Sequence, residues 1–305
     1  MITDFNLEPE TRCGYHVSAE MKKIWAVETD LLRRFLEFCE KNNLRCWVEG
    51  GTMLGAVRHK GFIPWDDDVD VCMPRPDYDR MLELGNSQFE APYFLQTGYS
   101  DIDYFRNHAQ FRNSNTAGIR PSDSFQPYNQ GIFIDIFVVE GVPEDESKLW
   151  QNLKEGVKIT KFLKAKNLHL ISSGRIGQVF RQIKSRRAVK KYGWTNIYKR
   201  IDELMREFDF DKSERVEELG KIFDRHIFDE TIYLDFENIK VPVPKRYDDF
   251  LRTEFGDDYM TPIMAPNCHG EVVFDTERSY KEVLPEVRRK FRRSALTRLW
   301  KKIKG

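Results

Sequence analysis

The sequence predicts an α+β fold: a sheet core led by a long helix and interrupted by a helical subdomain. Three observations predict it. Met21, Ile24, Trp25, Leu31, Leu32, Phe35, Leu36 and Cys39 recur at helical spacings over residues 18–42, with charges between them, as in an amphipathic helix packed on a core. Gly131-Ile132-Phe133-Ile134-Asp135-Ile136-Phe137-Val138-Val139 is a strand-forming run, apolar on both faces except for one carboxylate, as in a central strand. From Ser147 to about Phe228 the pattern turns helical and rich in Lys and Arg, with a break at Ser172-Ser173-Gly174.

Arg45 to Glu49 has the residue types of a short strand and runs directly into Gly50-Gly51. Thr52 to Arg58 reads as a short helix that packs through Met53, Leu54, Ala56 and Val57, and Gly61-Phe62-Ile63-Pro64-Trp65 breaks it. Asp68 to Met73 then reads as a second strand and Asp77 to Leu84 as a helix. Strand-like runs follow at Tyr93–Gln96 and around Phe105–Arg112. Thr231 to Val243 regains strand character, and Lys245 to Phe255 reads as a helix. No repeat or low-complexity tract interrupts the chain. The expected division is a core domain over residues 1–145, a helical subdomain over 146–230, a return to the core over 231–280 and a basic amphipathic tail over 281–305.

Composition sets limits on function. The 305 residues, 40% hydrophobic and 32% charged, suffice for a substantial core. The five cysteines are scattered and form no Cys-x-x-Cys pair, which argues against a disulfide framework or a zinc finger. Equal numbers of basic and acidic residues, 49 each, exclude a chain-wide nucleic-acid surface, so no nucleic-acid partner is expected. The first residues, MITDFNLEPETRCGYH, lack the basic flank and apolar block of a signal peptide, and no apolar run is long enough to span a bilayer. A cytoplasmic location is the expectation. From Arg288 onward the chain carries only basic charges, with Ala295, Leu296, Leu299, Trp300 and Ile303 at helical spacings among them. Such a tail suits an interfacial helix on anionic lipid, at the inner face of the cell membrane, or else a solvated helix.

The chemistry concentrates in Asp66-Asp67-Asp68-Val69-Asp70. On a strand Asp66, Asp68 and Asp70 share a face, Asp67 points away, and Val69 and Val71 enter the core. Converging carboxylates repel, and a divalent cation among their oxygens removes that cost; one or two Mg²⁺ ions, or Mn²⁺, are the expected cofactor. Asp135, alone in its apolar strand, offers a further ligand from an adjacent strand. A solvated acidic turn is the plain alternative. A calcium loop counted from Asp66 fails, because Val71 stands where glycine is needed and Asp77 where glutamate is needed. Gly50-Gly51 and Thr52 open a helix whose backbone N–H groups suit a phosphate. Arg58, His59 and Lys60 supply cations for a diphosphate, or else a solvated basic helix end.

The run Glu49-Gly50-Gly51-Thr52-Met53-Leu54-Gly55-Ala56-Val57-Arg58-His59-Lys60-Gly61-Phe62-Ile63-Pro64-Trp65-Asp66-Asp67-Asp68-Val69-Asp70-Val71 resembles the signature of the LicD family of phosphocholine transferases, related to fukutin and fukutin-related protein. Gly131 to Phe137, Val241 to Tyr247 and Phe255 to Met260 extend the likeness, which spans roughly residues 20–140 and 240–270. The resemblance implies a mixed-sheet nucleotidyltransferase-type core, similar to polymerase-beta-like enzymes, with Gly50 and Gly51 as the Gly-Gly element and Asp68, Asp70 and Asp135 as metal-binding, catalytic acids. Asp66 is a secondary ligand. It also implies a CDP-activated alcohol as donor, such as CDP-choline or CDP-ribitol, and a cell-surface glycan or its lipid-linked precursor as acceptor. Arg112, Asn115, Thr116 and His269 become candidate substrate contacts; a surface arginine, an Asn-Thr turn and a surface histidine are the plain alternatives. Val138-Val139 stands where the family has a proline after Asp-Ile-Phe. The expected mechanism is attack of an acceptor hydroxyl on the phosphorus that carries the alcohol, with CMP leaving and Asp135 taking the proton. Nucleotidyl transfer with release of pyrophosphate, and a non-catalytic adaptor of glycan assembly at the membrane, are the competing readings.

Overall fold

A computed structural model describes residues 5–167, 176–264 and 271–304, with backbone alone at 176, 177 and 294–304. In chain order the elements are β1 (Glu10–Arg12), β2 (Tyr15–Val17), α1 (Ala19–Lys41), β3 (Trp47–Val48), α2 (Gly50–His59), β4 (Asp70–Pro74), α3 (Arg75–Leu84), β5 (Tyr93–Gln96), β6 (Ala109–Asn113), β7 (Ala117–Ile119) and β8 (Ile132–Gly141). Then follow α4 (Glu146–Lys164), α5 (Ile176–Tyr192), α6 (Trp194–Met205), β9 (Arg215–Glu218), β10 (Lys221–Asp224), β11 (Thr231–Phe236), β12 (Ile239–Pro244), α7 (Tyr247–Phe255), β13 (Val273–Asp275) and α8 (Tyr280–Lys304).

α1 starts where Ser18 caps it, its hydroxyl accepting from Met21 N at 3.1 Å. Its periodic apolar face, including Trp25, Leu31, Leu32 and Phe35, is fully buried in the main core. That core lies on a mixed sheet organised around β8. β4 runs parallel to β8, with Asp70 opposite Asp135, and β6 runs antiparallel to it, with Gln110 opposite Asp135. β5 extends the sheet beyond β6, β3 beyond β4, and the β9–β10 hairpin pairs with the end of β8 at Glu140 and Gly141. The α/β character and the mixed sheet match the expectation. The helices α4 to α6 gather around a separate cluster of Tyr104, Phe105, Tyr128, Leu163, Trp194, Tyr198 and Ile201.

Three local expectations are corrected. Asp66 to Asp68 lie in a loop, and the strand begins only at Asp70. β3 turns off into α2 after Val48, with Glu49 N donating to Asp70 O, so strand pairing on that side stops before it reaches residues 66–68. α2 begins at Gly50, earlier than Thr52, because Gly50 takes a φ of +50° that starts the helix directly after the strand. Residues 215–224, read as helix, form the β9–β10 hairpin. Leu219 and Gly220 both have positive φ (+46° and +86°), the two-residue turn whose twist suits paired strands, and Val216 and Phe223 are buried. The break expected at 172–174 lies outside the described residues. So do the apolar side chains expected to face lipid in the tail, although the α8 backbone is helical through Lys304. No helix among the described residues is long and apolar enough to cross a membrane.

Candidate active site

Sheet register assembles a polar row through the apolar core. Gln96, Gln110, Asp135 and Asp70 are direct partners across β5, β6, β8 and β4, so their side chains share one face. Gln96 and Gln110 are fully buried and Asp135 is 5% exposed. Gln110 Nε2 donates to Asp135 Oδ1 at 2.5 Å. His108 Nε2 lies 3.0 Å from the same oxygen, at ion-pair distance but off hydrogen-bond geometry. Arg112, buried two residues along from Gln110, donates to Gln110 Oε1, Gln96 Oε1 and the carbonyl of Gly131. With its carbonyl claimed by Arg112, the Gln110 amide turns its N–H₂ toward Asp135.

The acid loop closes over this row. Asp66, Asp67 and Asp68 each place a carboxylate oxygen within 4.8 Å of the others. Asp67 therefore joins its neighbours; the alternation that would turn it away applies to strands, and this segment is not one. Trp25 Nε1 donates to Asp66 O at 2.9 Å and ties the loop to α1. Gly51 makes room for it: a Cβ there would stand 2.8 Å from Asp66 Oδ2. Thr52 Oγ1 accepts from Asp70 N at 2.9 Å, and Asp70 Oδ1 is buried with no hydrogen-bond partner.

Electrostatics follow from this crowding. Burial and then Asp68 lift the Asp66 carboxyl to about 8, and burial, Asp68 and Asp135 push Asp70 well above the usual carboxylate range. Glu28, on the buried face of α1, is pushed up by burial and by Asp68, Asp67, Asp66 and Asp70 in turn. Asp135 goes the other way. Burial raises its carboxyl, but His108, Arg120 and Arg106 outweigh that and hold it low and ionised. The donor set is all carboxylate oxygen, negative in excess, with an orphaned buried oxygen on Asp70. That is the chemistry of a hard divalent cation such as Mg²⁺: Asp66, Asp67 and Asp68 are brought together in the loop, and Asp70 and Asp135 stand opposite each other on the adjoining strands.

The other expected contacts separate. Arg58, His59 and Lys60 stand at the far end of α2, about 12 Å from Gly50 at the helical rise. There Arg58 donates to Tyr259 O at 2.7 Å and Lys60 O accepts from Glu237 N. They do not converge with the acids, because the helix they share with Gly50-Gly51 carries them away. Arg112 is buried and its donors are spent on the sheet, so it faces no substrate. Thr116 is likewise buried; its hydroxyl donates to Asn113 O and accepts from Ile132 N, holding a turn together. His269 lies outside the described residues.

Sequence reading missed Glu28, His108, Gln110, Glu49 and Glu218. Glu28 stands three residues from Trp25 and four from Leu32, on the apolar face, so its polarity was the available signal. Glu49 and Glu218 meet only through the fold. Burial and then Glu218 push Glu49 well up, and burial lifts Glu218 to about 8 and Glu217 to about 7. These raised carboxyls fix a sign. Their contribution to stability is full below their unfolded values near 4 and is lost as pH rises through 7 to 8. His59, pushed down by burial and Arg58, acts oppositely, one group against several. The cation-free protein is therefore expected to have a higher urea midpoint at pH 5 than at pH 8; a midpoint that rises with pH would contradict it.

A carboxylate centre built from a loop and two adjacent strands of a mixed sheet, beside a Gly-Gly helix start, places the chain among mixed helix-and-sheet proteins with a clustered acidic centre. Residues 43–161 match the LicD/FKTN/FKRP nucleotidyltransferase domain of the LicD family. The chain is 32% identical over 145 residues to the lipopolysaccharide cholinephosphotransferase LicD of Haemophilus influenzae, covering 46% of this chain and 53% of that protein. It is 56% identical over 80 residues to the human ribitol 5-phosphate transferase FKRP, covering 25% of this chain and 16% of that protein. The chain thus spans about half the length of the first relative and a small part of the second.

Proposed function

We propose that this protein transfers a phosphorylated small alcohol, of the phosphocholine or phosphopolyol type, from a CDP-activated donor to a hydroxyl of a cell-surface glycan or its lipid-linked precursor. The reading includes a nucleotidyltransferase-type core and Mg²⁺, or Mn²⁺, at Asp66, Asp68, Asp70 and Asp135. It is carried by one observation: the in-register pair Asp70 and Asp135, beside the Asp66–Asp68 loop, falls inside the stretch that matches the LicD family. The relatives' names, a cholinephosphotransferase and a ribitol 5-phosphate transferase, support the class of group moved.

A bound Mg²⁺ supplies charge neutralisation on the donor phosphates. The chain's own residues do the rest. The start of α2 at Gly50-Gly51 has no side-chain cap, which leaves backbone N–H groups for phosphate. Asp135, held by Gln110 and kept ionised, accepts a hydrogen bond from the acceptor hydroxyl and orients it. As the hydroxyl oxygen bonds to phosphorus and CMP leaves, its proton passes to Asp135. We place the protein in the cytoplasm, peripheral on the inner face of the membrane through its basic tail. Removing residues 288–305 is expected to release it from vesicles containing anionic lipid, and unchanged sedimentation with those vesicles would count against this.

The deciding experiment is incubation with Mg²⁺, a panel of CDP-alcohols and glycan acceptors. Release of CMP coupled to acceptor labelling supports the proposal. Pyrophosphate released from a nucleoside triphosphate makes it a nucleotidyltransferase instead, and neither product across the panel points to an adaptor.

A further inference from the structure

Three arginines stand around Asp135 and its polar row, and two of them spend their donors on hydrogen bonds within the protein. Arg106 donates to Tyr128 Oη at 2.9 Å and Asp123 Oδ2 at 2.6 Å. Arg112 spends its donors on Gln96, Gln110 and Gly131. Arg120 differs. It follows β7 directly, and Asp123 N hydrogen-bonds to its carbonyl, which fixes its backbone in a turn. Its guanidinium carbon lies 5.5 Å from the ring centre of Phe133, which stands two residues before Asp135 on β8 and so on the same face. Its Nε is buried without a hydrogen-bond partner, and its guanidinium forms no ion pair among the described residues. Of the arginines acting on Asp135, it exerts the stronger pull.

A buried guanidinium N–H left unsatisfied costs about 1–3 kcal/mol, more when the group is charged. Here the cost stands beside a cluster of carboxylates, none of which pairs with it. We propose that Arg120 is a binding residue for the diphosphate of the nucleotide donor, its planar fork taking the phosphate oxygens on the Asp135 side of the site. Guanidinium geometry matches phosphate in this way, and a mobile anion supplies the partner that the fold withholds. Naming the ligand a nucleoside diphosphate rests on the function proposed above; the buried, unpartnered Nε of Arg120 does not.

The test is calorimetric titration of CDP, with Mg²⁺, into the full chain and into Arg120→Gln and Arg120→Lys variants. A parallel titration uses inorganic phosphate, to separate a nucleotide subsite from a general phosphate contact such as a lipid-linked acceptor would make. Expected are CDP binding at least about tenfold weaker in Arg120→Gln, partial recovery in Arg120→Lys, and unchanged thermal midpoints without ligand. CDP binding within twofold of wild type in Arg120→Gln overturns the proposal, as does no CDP binding by the wild type. So does an Arg120→Gln loss confined to inorganic phosphate. Should Arg120→Gln unfold, Arg120→Lys decides alone: it must weaken CDP measurably, and wild-type affinity in it sinks the assignment. If wild type binds CDP through Arg120 yet turns over no CDP-alcohol, the functional reading fails and this one stands; turnover with Arg120-independent CDP binding gives the reverse.

Discussion

Asp70→Asn is expected to slow transfer by about a thousandfold, roughly 4 kcal/mol at the transition state, while the cation-free protein becomes no less stable than wild type. The two effects have one cause. Asp70 faces Asp135 in strand register, has a buried oxygen without a partner, and is pushed well above the usual carboxylate range by burial and its acidic neighbours. An isosteric amide removes a charge that only a cation can balance, so repulsion falls when the site is empty and cation affinity falls when it is filled. The backbone is untouched, since Asp70 N stays bonded to Thr52 Oγ1. Turnover under saturating donor and Mg²⁺, set beside urea midpoints in chelator, checks both halves. Near-normal turnover removes Asp70 from the site, and a large loss of cation-free stability removes the charge-repulsion account.

Trp25→Ala is expected to lose about 3–5 kcal/mol of stability, and Trp25→Phe much less of it while still weakening the site. Trp25 is fully buried, stacked on Phe62 at 4.7 Å with the rings 3° from parallel, and Phe62 in turn packs on Phe236. Truncation opens a cavity at the joint of α1, the acid-loop approach and the β11–β12 hairpin. Phenylalanine fills most of that volume but has no N–H for Asp66 O, so the acid loop loses its tie to α1. Losing one such hydrogen bond is worth about 1 kcal/mol, which sets an expected drop in Mg²⁺ affinity of roughly fivefold. Denaturant midpoints for both variants and Mg²⁺ titration of Trp25→Phe measure these separately. Unchanged Mg²⁺ affinity in Trp25→Phe would show that the loop holds its shape without α1.

Much of this was legible along the chain. The helix from Ser18, the β8 run with its lone carboxylate, and the segment from Glu49 to Val71 announce themselves through period, capping and composition, all of which act within a few residues. The LicD likeness sits in that same local stretch. What sequence alone determined was therefore the combination of helices with a mixed sheet, the central strand, and the acids Asp66, Asp68, Asp70 and Asp135 as the centre of interest.

The tertiary structure decided how those acids meet. Whether Asp66–Asp68 form a strand depends on whether a neighbour pairs with them, and β3 leaves too soon. That Arg112 braces Gln110 against Asp135, and that Thr116 holds a turn, follows from register between distant strands. Glu28 enters the site because α1 packs its buried face toward the acid loop, and Arg58 leaves it because α2 carries it about two turns away, to Tyr259 O. Residues 215–224 form a hairpin because β8 offers them an edge. Each of these outcomes is settled by burial and hydrogen-bond partners far off in the chain, where local periodicity carries no signal.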